Sequence, residues 1–309
     1  IEIDFRSRPA IIDPEKALNT STLLFDGTNE GNIVCRMQAE GLEADFSSCE
    51  VISEVRTVNN RLAPAPIETR VAAAEWHADG RLYCYNSGQG PHPVRSAIAK
   101  ILNLQEEQVR VISRDVGGSF GAKARPFPEE VLLGWLARRI GRPVKWVPPR
   151  SDDMVGLGHG RGQVQYCKIG GSRDGNITAY QLHIIQESGA YPAGGAGLPS
   201  NARAMLTGCY EIPSVGFKSV SVVTNTTPTG AYRGAGRPEA AAAIERAVDA
   251  FARDINMDPA EVRRKNFLRP NQFPLVTLTG SPYDSGEYEA ALDAALQASE
   301  YDKIRIEQQ

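Results

Sequence analysis

Apolar positions along this 309-residue chain switch between a period of two and a helical period, and the switches divide it into elements. CEVISEVRTV and QVRVISRDV alternate apolar and polar residues, which predicts strands. AAAEWHADGRLYCYNS predicts two strands around the turn signal ADG, and residues 163–187 predict a second hairpin around GSRDGN. RPVKWVP and KSVSVVTNTT add further strands. HPVRSAIAKILNL has helical spacing and places Val94, Ala97, Ile98, Ile101 and Leu102 on one face. PFPEEVLLGWLARRIG carries Pro128 near its start, acids in the first turn, Arg138 and Arg139 in the last, and Gly141 as a stop. From Pro238 an Ala-rich helix aligns Ile244, Val248 and Phe251. Asp13 with Pro14, and Asp258 with Pro259, are N-cap and first-turn pairs that open two short helices. Helices and strands alternate irregularly with hairpins between them, which predicts an α+β fold of mixed sheets with packed helices rather than a doubly wound sheet. Residues 1–12 form a leading segment, residues 13–309 one functional region, and a subdomain boundary is expected near residue 150.

Composition narrows the function by exclusion. No run of about 18 apolar residues occurs, so no membrane span is expected. The formal charge of -3, with Lys and Arg scattered, argues against nucleic acid as the main partner. The five cysteines are far apart with no C-x-x-C, and the four histidines lack ligand spacing. Neither a metal held by protein side chains nor an iron–sulfur cluster is encoded, and reduced cysteines fit the cytoplasm. The chain begins without an initiator Met or signal peptide and ends in the charged YDKIRIEQQ, so it is expected to be part of something longer.

Two glycine-rich segments carry the candidate chemistry. DVGGSFGAK fails the P-loop test, because Ala122 precedes Lys123 and Ala124 follows it. Neither this segment nor GAGRPE satisfies the dinucleotide fingerprint, since Glu239 stands where the last glycine belongs. Both GGSFG and YRGAGR follow apolar strands and precede helical sequence, a setting in which backbone amides at a helix N-terminus meet anionic or polar ligands. Arg233 and Arg237 flank the second and could add bidentate charge. A purely structural role for each loop stays open at this level. His92 in GQGPHPVR and His159 in GHGRG fit local hydrogen bonding better than catalysis, and Glu68 in APAPIETR is open to either role. No nucleophile elbow or triad spacing appears.

In combination these segments resemble one family. GQGPHPVRSAIAKIL, VRVISRDVGGSFGAK, EEVLLGWLARRIGRPVKW, DDMVGLGHGRG, SGAY and PTGAYRGAGRPEAAAAIERAVDAFA are similar, in this order, to the molybdenum-binding large subunits of the xanthine dehydrogenase and aldehyde oxidase family. Among these, the bacterial and archaeal carbon monoxide dehydrogenase large chains are the nearest in kind. The resemblance implies the first part of the molybdenum cofactor-binding region and a molybdopterin cofactor, in the cytosine dinucleotide form. It implies that Gln89 lies beside the metal's apical oxo ligand and that Gly118, Ser119, Phe120 and Gly121 form the loop nearest the metal, with Phe120 and Gly121 closest. Arg233 would be the arginine of the second loop, with Gly234, Ala235 and Gly236 bordering the substrate pocket. The metal would be held by the pterin dithiolene, with no protein metal ligand, and hydroxylation would use water as the oxygen source. Electrons would leave through an iron–sulfur small subunit to an FAD medium subunit; this chain itself would carry neither FAD nor an iron–sulfur cluster.

The chain also departs from the family pattern. Carbon monoxide dehydrogenases have a cysteine where this chain has Gly234, which disfavours carbon monoxide as substrate. The purine enzymes have a glutamate at Ala124, an arginine near Asn201 and a phenylalanine at Ala235, which disfavours purines. The family's catalytic glutamate, near the far C-terminus of the subunit, has no match here, so the chain alone is expected to be inactive without the remainder of the large subunit. Two readings remain: part of a molybdenum hydroxylase acting on an aldehyde or N-heterocycle, or a non-catalytic split subunit that binds cofactor or partners.

Overall fold

The computed structural model describes residues 2–26, 30–38, 41–192 and 194–308; Ile1 of the leading segment, Ala193 of the glycine-rich segment and Gln309 fall outside them. The chain opens with α1 (Pro14–Ala17), where the Asp13 carboxylate accepts from the backbone N–H of Glu15 at 2.9 Å. Strands β1 (Ile33–Gln38) and β2 (Val51–Asn59) follow. The chain then builds a separate four-stranded unit from β3 (Ala72–Trp76), β4 (Leu82–Asn86), α2 (Pro91–Leu102), β5 (Val109–Ile112), α3 (Pro128–Ile140) and β6 (Val144–Trp146). Helix α4 (Arg150–Gly156) closes it, and the chain returns through β7 (Gln163–Gly171) and β8 (Ile177–Glu187). Helix α5 (Leu198–Ala204), β9 (Ser214–Val222), α6 (Arg237–Asp254) and α7 (Pro259–Asn266) complete the core. A short ribbon of β10 (Leu275–Val276) and β11 (Pro282–Tyr283) precedes α8 (Tyr288–Ala298) and α9 (Tyr301–Glu307).

The larger sheet has the order β1-β9-β8-β7-β2. Only β8 and β9 run parallel in it; the other pairs are antiparallel. The β7–β8 hairpin starts from Gln163 opposite Gln186, close to where its turn signal predicts. Helix α6 lies across one face. Its Ile244, Val248 and Phe251 are fully buried with Ile169, Leu182 and Ile184 of the sheet, each large side chain contributing about 1.5–3 kcal/mol of burial. The alanines between them (Ala240, Ala243 and Ala247) are equally buried and let the helix axis come near the sheet. The other face meets α1 at Ala17, Val164, Ile185, Val220 and Val222.

The smaller sheet has the order β5-β4-β3-β6, with β4–β5 parallel. Helices α2 and α3 cover one face: Val94 and Ile98 pack with Val131, Leu133 and Ala137 around Leu82 and Cys84. A Cβ on Gly134 would stand 2.9 Å from Leu82 Cδ2, so glycine sets the helix-to-sheet distance here. One residue departs from the predicted helical face. Ile101 is 65% exposed, because the flank of α2 carrying Ala97 and Ile101 turns away from the sheet to line a groove with Leu132 and Trp135 of α3. The α+β architecture is as expected, and it sets the ends of the two sheets side by side.

Candidate functional site

The candidate site forms where the two sheets' loops converge. Gln89 stands three residues after the end of β4, and its backbone N–H donates to the carbonyl of Lys123 at 3.1 Å, which ties it to the glycine loop from the outset. Its side-chain Oε1 accepts from the backbone N–H of Gly121 at 2.7 Å and from the Ser119 hydroxyl. A backbone N–H can only donate, so this contact fixes the oxygen of the Gln89 amide inward. The Nε2 amine is therefore turned the other way, with no partner among the described residues, and Gln89 is exposed. Ser119 is buried and is itself oriented: its hydroxyl accepts from the Lys123 backbone N–H at 3.1 Å.

The glycines make this convergence possible. Gly121 has φ +99°, and a Cβ there would meet the Ala231 carbonyl oxygen at 2.8 Å. Phe120 also has positive φ (+56°), so its ring stands out from the loop at 39% exposure, flanked by Gly118. The loop is held from beneath. The Glu68 carboxylate accepts from the backbone N–H of Gly117 at 2.7 Å, and the buried Lys123 ammonium donates to the Glu68 carbonyl at 2.8 Å. Burial lowers the Lys123 pKa from its ordinary value, while the nearby Glu68 carboxylate opposes that shift. Glu68, which the sequence left open, thus has a supporting role.

The second loop, 230–236, meets the first. The Arg233 backbone N–H donates to the Phe120 carbonyl at 2.8 Å, and the exposed Arg233 guanidinium lies 4.8 Å from the centre of the Phe120 ring. Asn201 donates to the Ala235 carbonyl at 2.9 Å, and Gly236 is buried against the Leu198 carbonyl. Gly234 is exposed and Ala235 half-buried, leaving a low rim beside Arg233. Arg161 donates to the Tyr232 carbonyl at 2.9 Å and to the Arg233 carbonyl at 3.0 Å, and it pairs with Glu239.

The structure thus brings together Gln89, Ser119, Phe120, Gly121 and Arg233, with Gly118 behind Phe120 and Gly234, Ala235 and Gly236 at the side. Two expectations about loop amides need correction. The first loop does not open a helix: turns fill residues 120–125 and α3 begins at Pro128. The second does open α6, but the Glu239 carboxylate already accepts from the Gly236 N–H at 2.8 Å, so the chain supplies its own anion there. His92 is exposed at the start of α2. The His159 ring bonds to the Met154 carbonyl at 2.9 Å and lies 3.3 Å from Arg61, a loop-bracing position. Among the described residues Arg237 reaches only the Gly234 carbonyl, at 3.3 Å. Arg161, Glu239 and Asn201 were not singled out as holders of the site. The one sequence signal was the flanking of Arg161 by Gly160 and Gly162, since close backbone approach demands glycines.

Among the described residues no three His, Cys, Asp or Glu side chains gather into a metal-ligand set. What the site offers is one outward amide donor, one guanidinium, an aromatic ring and two glycine-lined backbone ledges. This donor set fits a polar, anionic cofactor that brings its own metal ligands, the kind of group that protein hydrogen bonds orient.

The molybdopterin cofactor-binding domain family matches residues 25–267. The chain is 31% identical to the carbon monoxide dehydrogenase large chain of Afipia carboxidovorans, over all of this chain and 40% of that protein. It is 31% identical to the nicotine 6-hydroxylase large subunit of Paenarthrobacter nicotinovorans, over 97% of this chain and 39% of that one. Quinoline 2-oxidoreductase from Pseudomonas putida 86 superposes with a TM-score of 0.92 at 29% identity, over 99% of this chain and 40% of that chain. The chain therefore belongs to the molybdopterin cofactor-binding domain family, in its molybdenum-hydroxylase branch, and it spans about 40% of the length of these relatives.

Proposed function

We propose that the chain forms one wall of the active site of a molybdenum hydroxylase that oxidises a small aldehyde or N-heterocycle with water as the oxygen source. The observation that carries this reading is the fixed Gln89 amide. Its oxygen is locked inward by Gly121 and Ser119, so its two N–H donors are presented outward without reorganisation, as stabilisation of an electronegative centre requires. When bound, the molybdopterin cofactor, in its cytosine dinucleotide form, supplies the two-electron oxidation. The chain's own residues would do the rest: Gln89 would hold the cofactor through its outward N–H donors, Phe120 and Gly121 would shape the approach, and Arg233 would offer charge beside the substrate. Gly234 and Ala235 keep the rim low enough for a planar ring. Relatives named for nicotine and quinoline chemistry support an N-heterocycle. Gly234 in place of cysteine counts against carbon monoxide. The remainder of the large subunit, an iron–sulfur small subunit and an FAD medium subunit complete the enzyme, in the cytoplasm. Among the described residues no helix is long and apolar enough to cross a membrane.

The test is to purify the assembled complex, measure molybdenum and cytosine nucleotide per large subunit, and screen aldehydes, N-heterocycles and carbon monoxide. Stoichiometric molybdenum with turnover of an aldehyde or heterocycle is expected. No molybdenum under cofactor-replete expression would sink the reading.

A second reading, a shorter cofactor-binding subunit, draws on one relative. The chain is 27% identical to the nicotinate dehydrogenase large molybdopterin subunit of Eubacterium barkeri, of which it spans 72%. Molybdenum bound without turnover of any screened compound would favour it.

A further inference from the structure

We propose that Arg161 is a positioning residue for the candidate site: one buried guanidinium fixes both peptide groups flanking Arg233 and thereby sets that arginine over Phe120. This inference rests on the reading of Arg233 as a site residue.

Arg161 is only 8% exposed, and a buried charge is stable only where it is paired and hydrogen-bonded. Its pairing is directed at the second loop. Nη1 donates to the Tyr232 carbonyl at 2.9 Å, Nη2 donates to the Arg233 carbonyl at 3.0 Å, and Nη1 lies 3.3 Å from the Glu239 carboxylate. The guanidinium also sits 4.9 Å from the centre of the Tyr232 ring. The Tyr232 carbonyl and the Arg233 N–H belong to the same planar peptide unit, so they point in opposite directions. With Arg161 gripping the carbonyl, the N–H is aimed outward, where it donates to the Phe120 carbonyl at 2.8 Å. The contact between the two loops is thus transmitted through one rigid plane. The second grip, on the Arg233 carbonyl, fixes the next plane, and only the side-chain torsions of Arg233 remain free.

The rest of the surroundings serve this grip. Arg161 has φ +64°, an unfavourable region for a residue with a side chain, and it is flanked by Gly160. A Cβ on Gly160 would lie 2.3 Å from the Tyr232 Cβ, so the glycine is the seat on which Tyr232 rests. Glu239 works from both oxygens: one faces Arg161, the other accepts from the Gly236 N–H at 2.8 Å, which anchors the far end of the same loop. A buried amide chain carries the arrangement into the sheet. Gln165 donates to the Glu239 carbonyl at 3.0 Å and to Gln163 at 2.8 Å, Gln163 donates to Gln186 at 2.8 Å, and Gln186 donates to the Arg161 carbonyl at 3.1 Å. The register of the β7–β8 hairpin therefore determines where the loop stands.

Arg161→Lys separates positioning from packing, because an ammonium keeps the charge opposite Glu239 but cannot fork across two carbonyls. Glu239→Gln is the second variant; it keeps the shape and removes the charge. Both are made in the assembled complex and compared with wild type by thermal unfolding, molybdenum content, trypsin cleavage after Arg233 and the Mo(V) electron paramagnetic resonance of dithionite-reduced enzyme. For Arg161→Lys, molybdenum content and unfolding temperature are expected to stay near wild type. Cleavage after Arg233 should accelerate about tenfold or more, the factor expected on losing a charge-assisted hydrogen bond, and the Mo(V) signal should shift. Glu239→Gln should change both readouts in the same direction, by less. Wild-type cleavage and an unshifted signal in both variants would overturn the proposal, as would changes that only track lost molybdenum or lower unfolding temperature. Wild-type complex without molybdenum would defeat the functional reading instead, and the cleavage rates would then decide the role of Arg161 alone.

Discussion

Gln89 shows how much one side chain depends on its neighbours' atoms. Its residue type was legible in GQGPHPVR by resemblance, but the direction of its amide was not, because that direction follows from Ser119 and Gly121, thirty and more positions away. Gln89→Ala removes two hydrogen bonds at an exposed position. The freed Gly121 N–H lies at an exposed contact but the freed Ser119 hydroxyl is buried, so the stability cost should be about 1–2 kcal/mol, read by thermal unfolding of the complex. Turnover should fall about 100-fold at unchanged molybdenum content, the loss typical of one preorganised donor. Normal turnover would remove Gln89 from the site. Arg161 is the opposite case: a lone arginine between glycines in GHGRG carries no signal of its target, since Tyr232 and Arg233 lie some seventy residues away.

Among the elements, α2, α3, α6, α7 and the two hairpins were read nearly to their ends, whereas β1, α4, α5 and α8 were not read from the sequence. Pro128 and Gly141 bound α3, and Asp258 caps α7, because caps are local chemistry. The exposure of Ile101 was not readable, since periodicity gives a face but not the width of the sheet beneath it. The glycine loop was legible as a place of close approach, yet its partner was not: Gly121 closes on the Ala231 carbonyl of another loop. Gly121→Ala combines a φ of +99° with a 2.8 Å contact to that oxygen, so it must push the loops apart. A cost of about 1–3 kcal/mol is expected, with reduced molybdenum content, measured by calorimetry and metal analysis. Wild-type stability in this variant would mean that the loops are not packed as described.

For the molecule as a whole, the site is a product of the junction. β2 belongs to the larger sheet, the chain then builds the smaller sheet, and only the return at β7 brings the two loop systems together. The same interior affects pH dependence. Burial pushes the thiol of Cys84 up to about 12 and those of Cys167 and Cys209 up to about 11, against an ordinary 9.0. Each raised pKa means that the unfolded chain loses its thiol protons before the folded one does. Their contribution is therefore fully present below about pH 9 and declines as pH rises through the folded values. Urea midpoints of the complex are expected to fall between about pH 9 and pH 11, and substituting Cys84 by alanine should flatten that fall. A midpoint unchanged across this range would contradict the burial of these thiols.

What the sequence determined by itself is what short-range chemistry encodes: the α+β class, the hairpins and caps, and two loops that only glycine could build. The ordered motifs also carried the family. What only the tertiary structure decided is which atoms meet: Gln89 with Gly121, Arg233 with Phe120, and Arg161 with the loop behind them. The physical reason is that hydrogen bonds and close approaches act over about 3 Å in space, while sequence patterns register only residues within a turn or a strand of one another.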